Sequence, residues 1–205
     1  MNILKISGLT IIAFLTFNFS SFSQENNKSE NDIKTDSLKQ FLENFEQITL
    51  PFEFEEIYYK NEIDNNWINF FFKEIEDYGE KFYCSYIFYE KEYIGLIIIR
   101  NWCPGIAGVN NDFVFLFTIS YNGKIIDNEE LGCYCNDTNM GSNDYFATNL
   151  DVFIFENEIN IYETNTHATL IIEEGQEHFE NKNYKTYNYN LNSKGIIDYK
   201  KNNEN

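Results

Sequence analysis

From Tyr83 to the C-terminus the chain is one strand-like run after another. The runs are "YCSYIFYE", "YIGLIIIR", "FVFLFTISY", "KIIDNEE", "YFATNLDVFIFE", "EINIYET", "ATLIIEE", "KTYNYNLN" and "GIIDYK". Each is rich in β-branched and aromatic residues and bounded by a short polar break. Breaks this short force consecutive strands to run antiparallel, because a parallel return needs a crossover of a dozen residues or more. Asn122-Gly123 predicts a type I′ hairpin turn, whose two central residues both take positive φ. Lys91-Glu92 and Asn157-Glu158 are placed to close two further hairpins. "FVFLF" and "VFIF" are apolar on both sides, so the sheet needs cover on both faces.

The N-terminal third supplies cover for one face. In "TDSLKQFLENFEQI" the apolar residues Leu38, Phe41, Leu42, Phe45 and Ile48 recur at helical spacing. Ser37 and Gln40 have the spacing of a capping box, and Pro51 ends the helix by pushing Leu50 out of the helical region. A second helix is expected over 65–76, with Asp64 as its cap and Trp67, Phe70, Phe71 and Ile75 as its apolar face. "INFFF" within it also reads as strand. The expected fold class is therefore α+β: a mainly antiparallel sheet, meander, sandwich-like or curled, with one or two N-terminal helices packed on it. A faint echo links "TISYNGKIID" to "NYNLNSKGIID" as two hairpins of one design.

The first 23 residues read as a secretory leader. Lys5 precedes an apolar run from Leu9 to Phe19, and Ser21 and Ser23 stand at the small-residue positions before Gln24. The run falls short of the roughly 20 apolar residues of a comfortable span. Residues 24–34 are polar and expected to be a flexible lead-in, 35–200 a single β-rich domain, and 201–205 a disordered tail. The expected location is the periplasm or beyond, with no transmembrane anchor once the leader is removed. Loss of Lys5 leaves 14 basic residues against 33 acidic ones, a net charge near −19. Nucleic acid and anionic membrane surfaces are repelled by such a chain, and a basic protein is the partner that charge allows. Asn, Ile, Lys, Phe and Tyr all have AT-rich codons, so the abundance of aromatic rings is read as core and sheet surface.

The chemistry-bearing residues are few. Exported chains meet oxidants, so Cys84, Cys103, Cys133 and Cys135 are most simply two disulfides. Pairing Glu90 with Tyr93 carries Cys84 opposite Ile99, and pairing Tyr121 with Lys124 carries Cys133 opposite Asp112. All four cysteines then gather at one end of the sheet. Cys133 and Cys135, one residue apart, are expected to bond to Cys84 or Cys103 and not to each other. Buried thiols and a four-thiolate zinc site are the alternatives, the latter without the usual C-x₂₋₄-C spacing. "NDTNMGSND" lacks the third oxygen ligand of an EF-hand loop and reads as a turn. His167 in "ETNTHAT" is expected in a turn, and His178 sits among acids. No catalytic residue, metal site or cofactor is called for.

The signal ending "SFSQ", the early "FLENF…LPF" and the two look-alike hairpins together give the chain a likeness. It resembles small exported proteins of bacteria with AT-rich genomes, and that resemblance carries no activity or catalytic residue with it. The expected function is a non-enzymatic binding or structural module. Its surface is expected where "NWCPGIAGVNND" and "CNDTNMGSND" meet, with Trp102 and Ile106 as an apolar anchor and Asp112, Asp137 and Asp144 as an acidic rim. One alternative is an acidic periplasmic inhibitor or immunity protein against a basic hydrolase or toxin. Another is a hydrolase that uses carboxylates.

Overall fold

A computed structural model describes residues 30–72, 80–103, 109–139, 144–171 and 176–200. The leader, Ile106 and the C-terminal tail 201–205 lie outside the described residues. In chain order the elements are α1 (Glu30–Leu42), β1 (Glu46–Gln47), β2 (Phe52–Phe54), β3 (Asn61–Glu62), α2 (Asn65–Phe71), β4 (Glu80–Tyr89), β5 (Ile94–Trp102), β6 (Val109–Ile119), β7 (Ile125–Asn139), β8 (Asp144–Ile154), β9 (Glu158–Ile171), β10 (Gln176–Leu191) and β11 (Ile197–Tyr199). The 11 strands form one sheet in which β4 to β11 follow one another as antiparallel neighbours. β1 lies parallel on β4, β3 pairs with β4, and β2 pairs with β8. Residues 46–54 thus reach from the first long strand to the fifth, turning at the cis Leu50–Pro51 bond.

β5 shows why the sheet is covered on both sides. Ile94, Leu96 and Ile98 join Leu38, Phe41 and Phe45 from the α1 region and Ile68 and Phe71 of α2 in one core cluster. The alternate residues Ile97 and Ile99 join Val114, Leu116, Leu150, Val152, Ile154, Ile159 and Ile161 in a second. The period of two in the strand sorts its side chains between the two cores. Each such large side chain, fully buried, contributes about 1.5–3 kcal/mol.

Both helices form where the apolar spacing places them, with different ends. Asp64 caps α2 as expected, its Oδ1 accepting from Asn66 N at 2.9 Å and Trp67 N at 3.3 Å. The chain leaves that helix at Phe72, which is extended. α1 starts at Glu30, inside the expected lead-in, because no Pro or Gly interrupts residues 30–41. Ser37 and Gln40 are consequently interior to the helix and form no capping box, while Phe45 and Ile48 lie beyond its end.

Other expectations shift by small steps. Beyond the Ile119–Ile125 pair, Ser120 N donates to Lys124 O at 2.8 Å, which leaves Tyr121, Asn122 and Gly123 as a three-residue turn. Gly123 takes the left-handed conformation, at φ +82°, and with three residues between the paired strands the turn is not the two-residue type I′ form. The Glu90–Tyr93 hairpin closes as expected, Glu90 N donating to Tyr93 O at 3.0 Å. The next one closes around Glu156-Asn157, one residue early, with Phe155 N donating to Glu158 O at 2.8 Å. "ETNTHAT" is no turn: His167 sits inside β9, opposite Phe146 of β8 and Asn181 of β10. Its polar neighbours are satisfied across the sheet. Thr148 Oγ1 donates to Asn165 Oδ1 (2.7 Å), and Asn165 Nδ2 and Lys185 Nζ donate to Glu163 Oε1 (2.5 and 3.0 Å). The two look-alike hairpins lie against each other, Thr118 Oγ1 donating to Gly195 O at 2.5 Å and Ile197 N to Asp127 Oδ2 at 2.9 Å.

Candidate functional site

Two register shifts decide where the chemistry-bearing residues go. The β4–β5 ladder follows the Glu90–Tyr93 turn as far as Ile87, then slips by one residue before Cys84. Cys84 therefore faces Ile98, not Ile99, and its side chain goes under the helices. The β6–β7 ladder slips between Val114 and Phe115, which puts Cys133 opposite Phe113 instead of Asp112. A one-residue slip exchanges the two faces of a strand. The expected gathering of four cysteines is thereby undone. β4 and β7 are also three strand spacings apart, about 14 Å, twice the roughly 7 Å of Cα separation that a disulfide tolerates. Cys133 and Cys135 are instead in close contact with each other, with Cα atoms 5.5 Å apart. That corrects the expectation that each would seek Cys84 or Cys103: alternate residues of one strand share a face. Cys103 follows β5 and is exposed.

Burial pushes the Cys84 thiol up to about 12. It should stay unalkylated by iodoacetamide at pH 8 in the folded protein and react only after denaturation; rapid labelling of the native state would contradict this placement.

The same slip in β4 builds the most distinctive surface. Tyr83 and Tyr86 are three apart and would point to opposite faces of a regular strand. With the irregularity between Cys84 and Ile87, both pack against the second core cluster. Residues 55–60 bring two more rings to them. Tyr58 stacks on Tyr86 with centroids 5.4 Å apart, and Tyr59 meets Tyr83 edge-on at 4.8 Å. Phe52 and Phe54 of β2 back Tyr86 at 4.8 and 5.8 Å. Tyr58 and Tyr59 remain 40% and 41% exposed.

Beneath them lies a buried carboxylate. Asp112, 6% exposed, accepts from Asn101 Nδ2 at 2.6 Å. It also accepts from the Tyr59 phenol, whose pKa is raised by burial and then by the Asp112 hydrogen bond and charge. Tyr134, anchored by its OH to Leu150 O at 2.5 Å, has its pKa raised by burial and then by Asp151, Glu55, Tyr86 and Glu56. The rings thus sit in a negative field, next to the ends of β5 and β6. No protein-family model, curated protein or solved structure matches the chain.

The described residues singled out from the sequence as a binding surface lie on the neighbouring strands β5 to β8. Trp102 ends β5, half-buried, opposite Glu80 and Asn111. Asp112 is an internal acceptor. Asp137 stands in β7 opposite Phe146. Asp144 opens β8 with its Oδ1 3.5 Å from Nε2 of His167, which stacks on Phe146 at 4.4 Å. His178 lies in β10 opposite Thr169. Composition does not mark the tyrosines, because AT-rich codons account for their number. The signal that marks them is local: "EEIYY", two acids followed by two rings, in a stretch with no strand or helix period.

At the opposite end of β4 a half-open groove of about 250 Å³ is lined by Gln47, Ile48, Thr49, Leu50, Phe88, Tyr89, Glu90 and Glu156. The Glu90 carboxyl is held above the usual range by burial and then by Glu156. Among the described residues no group of three or more His, Cys, Asp or Glu side chains is arranged to hold a metal ion. Among them, too, no helix is long and apolar enough to cross a membrane.

Proposed function

We propose that this is an exported, non-enzymatic binding module for a basic protein, acting as an inhibitor or immunity protein against a cationic hydrolase or toxin. The observation that carries the reading is the tyrosine surface of Tyr58, Tyr59, Tyr83 and Tyr86 over Asp112, edged by Glu55, Glu56 and Asp151. Exposed rings in a negative field suit a lysine or arginine side chain, through cation–π attraction and carboxylate pairing. Tyrosine is also a residue type that concentrates binding energy at interfaces. The large negative charge of the chain accelerates encounter with a cationic partner.

The test is calorimetric titration of residues 24–205 with lysozyme-type hydrolases and basic toxins, at low and at physiological salt. The expected result is a complex that weakens as salt rises. Tyr58→Ala should cost at least tenfold in Kd, about 1.4 kcal/mol, with unchanged thermal stability. Tyr184→Ala, on the far part of β10, should cost nothing. Equal effects of the two substitutions, or binding indifferent to salt, would refute the reading.

A hydrolase remains the second reading, on one observation: Glu90 and Glu156 both line the groove, and burial and then the Glu156 charge raise the Glu90 carboxyl. A raised carboxyl beside a second acid is the arrangement a general acid needs. Glu90→Gln would then abolish any glycan hydrolysis found in the purified protein, and absence of hydrolysis across cell-wall substrates dismisses it.

A further inference from the structure

Cys133 and Cys135 are in close contact, and a bond between them ties together nothing that the backbone has not already joined. A structural disulfide cross-links distant parts of a chain and removes loop entropy from the unfolded state. This one closes a loop with a single residue between its ends. Both neighbouring ladders hold that stretch without it. Cys133 pairs with Phe113 of β6, and Cys135 pairs with Asn111 of β6 and Thr148 of β8. Tyr134, the residue between them, is pinned by its hydroxyl to Leu150 O. Both sulfurs are thereby left side by side on the other face of the strand. Neither cysteine belongs to a core cluster, and both are only half-buried. Cys84, in contrast, is enclosed beneath the helices with a thiol that burial keeps protonated.

We infer that Cys133 and Cys135 form an exchangeable dithiol–disulfide site, whose co-reactant is a dithiol on a partner chain. Because β6 and β8 fix the strand in either state, the bond opens and closes without refolding. In the forward direction a partner thiolate attacks one Sγ of the pair. A mixed disulfide forms, the Cys133–Cys135 bond breaks, and the other sulfur leaves as a thiolate. The partner's second thiolate then attacks the partner's own sulfur in the mixed disulfide. The partner departs with a new disulfide, and Cys133 and Cys135 are left as the reduced pair. Two electrons pass from the partner to the bridge, and oxidised glutathione returns the pair to the disulfide by the reverse exchange.

The test equilibrates residues 24–205 in buffers of varied reduced-to-oxidised glutathione ratio, followed by alkylation and peptide mapping of 125–139. Circular dichroism and thermal melting are recorded on the same samples. The expected result is a smooth passage of Cys133 and Cys135 between bonded and alkylated forms, with the fold unchanged. A reduced dithiol peptide should be oxidised stoichiometrically by the bonded form. Cys135→Ser has no bridge to exchange and should leave that peptide reduced; with oxidised glutathione, the Cys133 thiolate should attack it, release one glutathione thiolate and stop at a stable mixed disulfide with glutathione. A bond that resists excess glutathione, a fold that melts when it opens, or thiols that stay alkylatable in every buffer would overturn the proposal.

Discussion

Gly95→Val should be among the most damaging single substitutions in this chain, lowering stability by about 3 kcal/mol, the upper end of overpacking costs. Gly95 lies opposite Phe88 in the β4–β5 ladder, and the Phe88 ring folds over it. A Cβ at Gly95 would stand 2.0 Å from Phe88 Cζ and 2.3 and 2.6 Å from its two Cε atoms. Phe88 is 1% exposed, so its ring has nowhere to turn. The check is a double-mutant cycle by urea unfolding. Phe88→Ala alone should cost roughly 3–5 kcal/mol through the cavity it leaves. In the double variant the new side chain fills part of that cavity, so the two losses should fall short of adding, by about 1–3 kcal/mol. Simple additivity would mean that the ring does not occupy the space above Gly95.

Asp112→Ala is expected to cost about 2–3 kcal/mol, the range for losing hydrogen bonds to a charged group and stranding its donors. Its carboxylate accepts from Asn101 Nδ2 at 2.6 Å. It also accepts from the Tyr59 phenol. The change has a second, spectroscopic readout. Burial and then Asp112 raise the Tyr59 pKa, so removing the carboxylate should move one tyrosine's ionisation to lower pH in an ultraviolet titration. Asp112→Asn should keep more of the stability than Asp112→Ala, because the amide oxygen still accepts, while losing the charge contribution to Tyr59. A titration curve unchanged in both variants would separate Tyr59 from Asp112 and dismantle the proposed binding surface.

Cys84 shows how much of the site was legible and where legibility stopped. The strand containing it, its antiparallel partner β5 and the Glu90–Tyr93 turn all follow from residue type and spacing. Its partner across the ladder does not. The turn sets the register only until the first irregularity, and no residue in "FYCSYIFY" announces one. β7 repeats the lesson at Gly132, where the slip decides that Cys133 meets Phe113. "ETNTHAT" fails for another reason. Its Thr and Asn residues have turn-like composition, yet two flanking strands satisfy its backbone and a lysine from β10 satisfies Glu163.

The sequence by itself determined the succession of antiparallel strands, the need for cover on both faces of the sheet and the existence of two helices, α2 with its Asp64 cap. These are local properties: an alternation of two, a spacing of three and four, a capping carboxylate next to free amides. Tertiary structure alone decided which faces the cysteines and tyrosines occupy. Each irregularity in a ladder exchanges inside for outside for every residue beyond it, and its position depends on how neighbouring strands pack. Thus Tyr83 and Tyr86 share a surface with Tyr58 and Tyr59, Cys84 lies beneath the helices, and Cys133 is left beside Cys135.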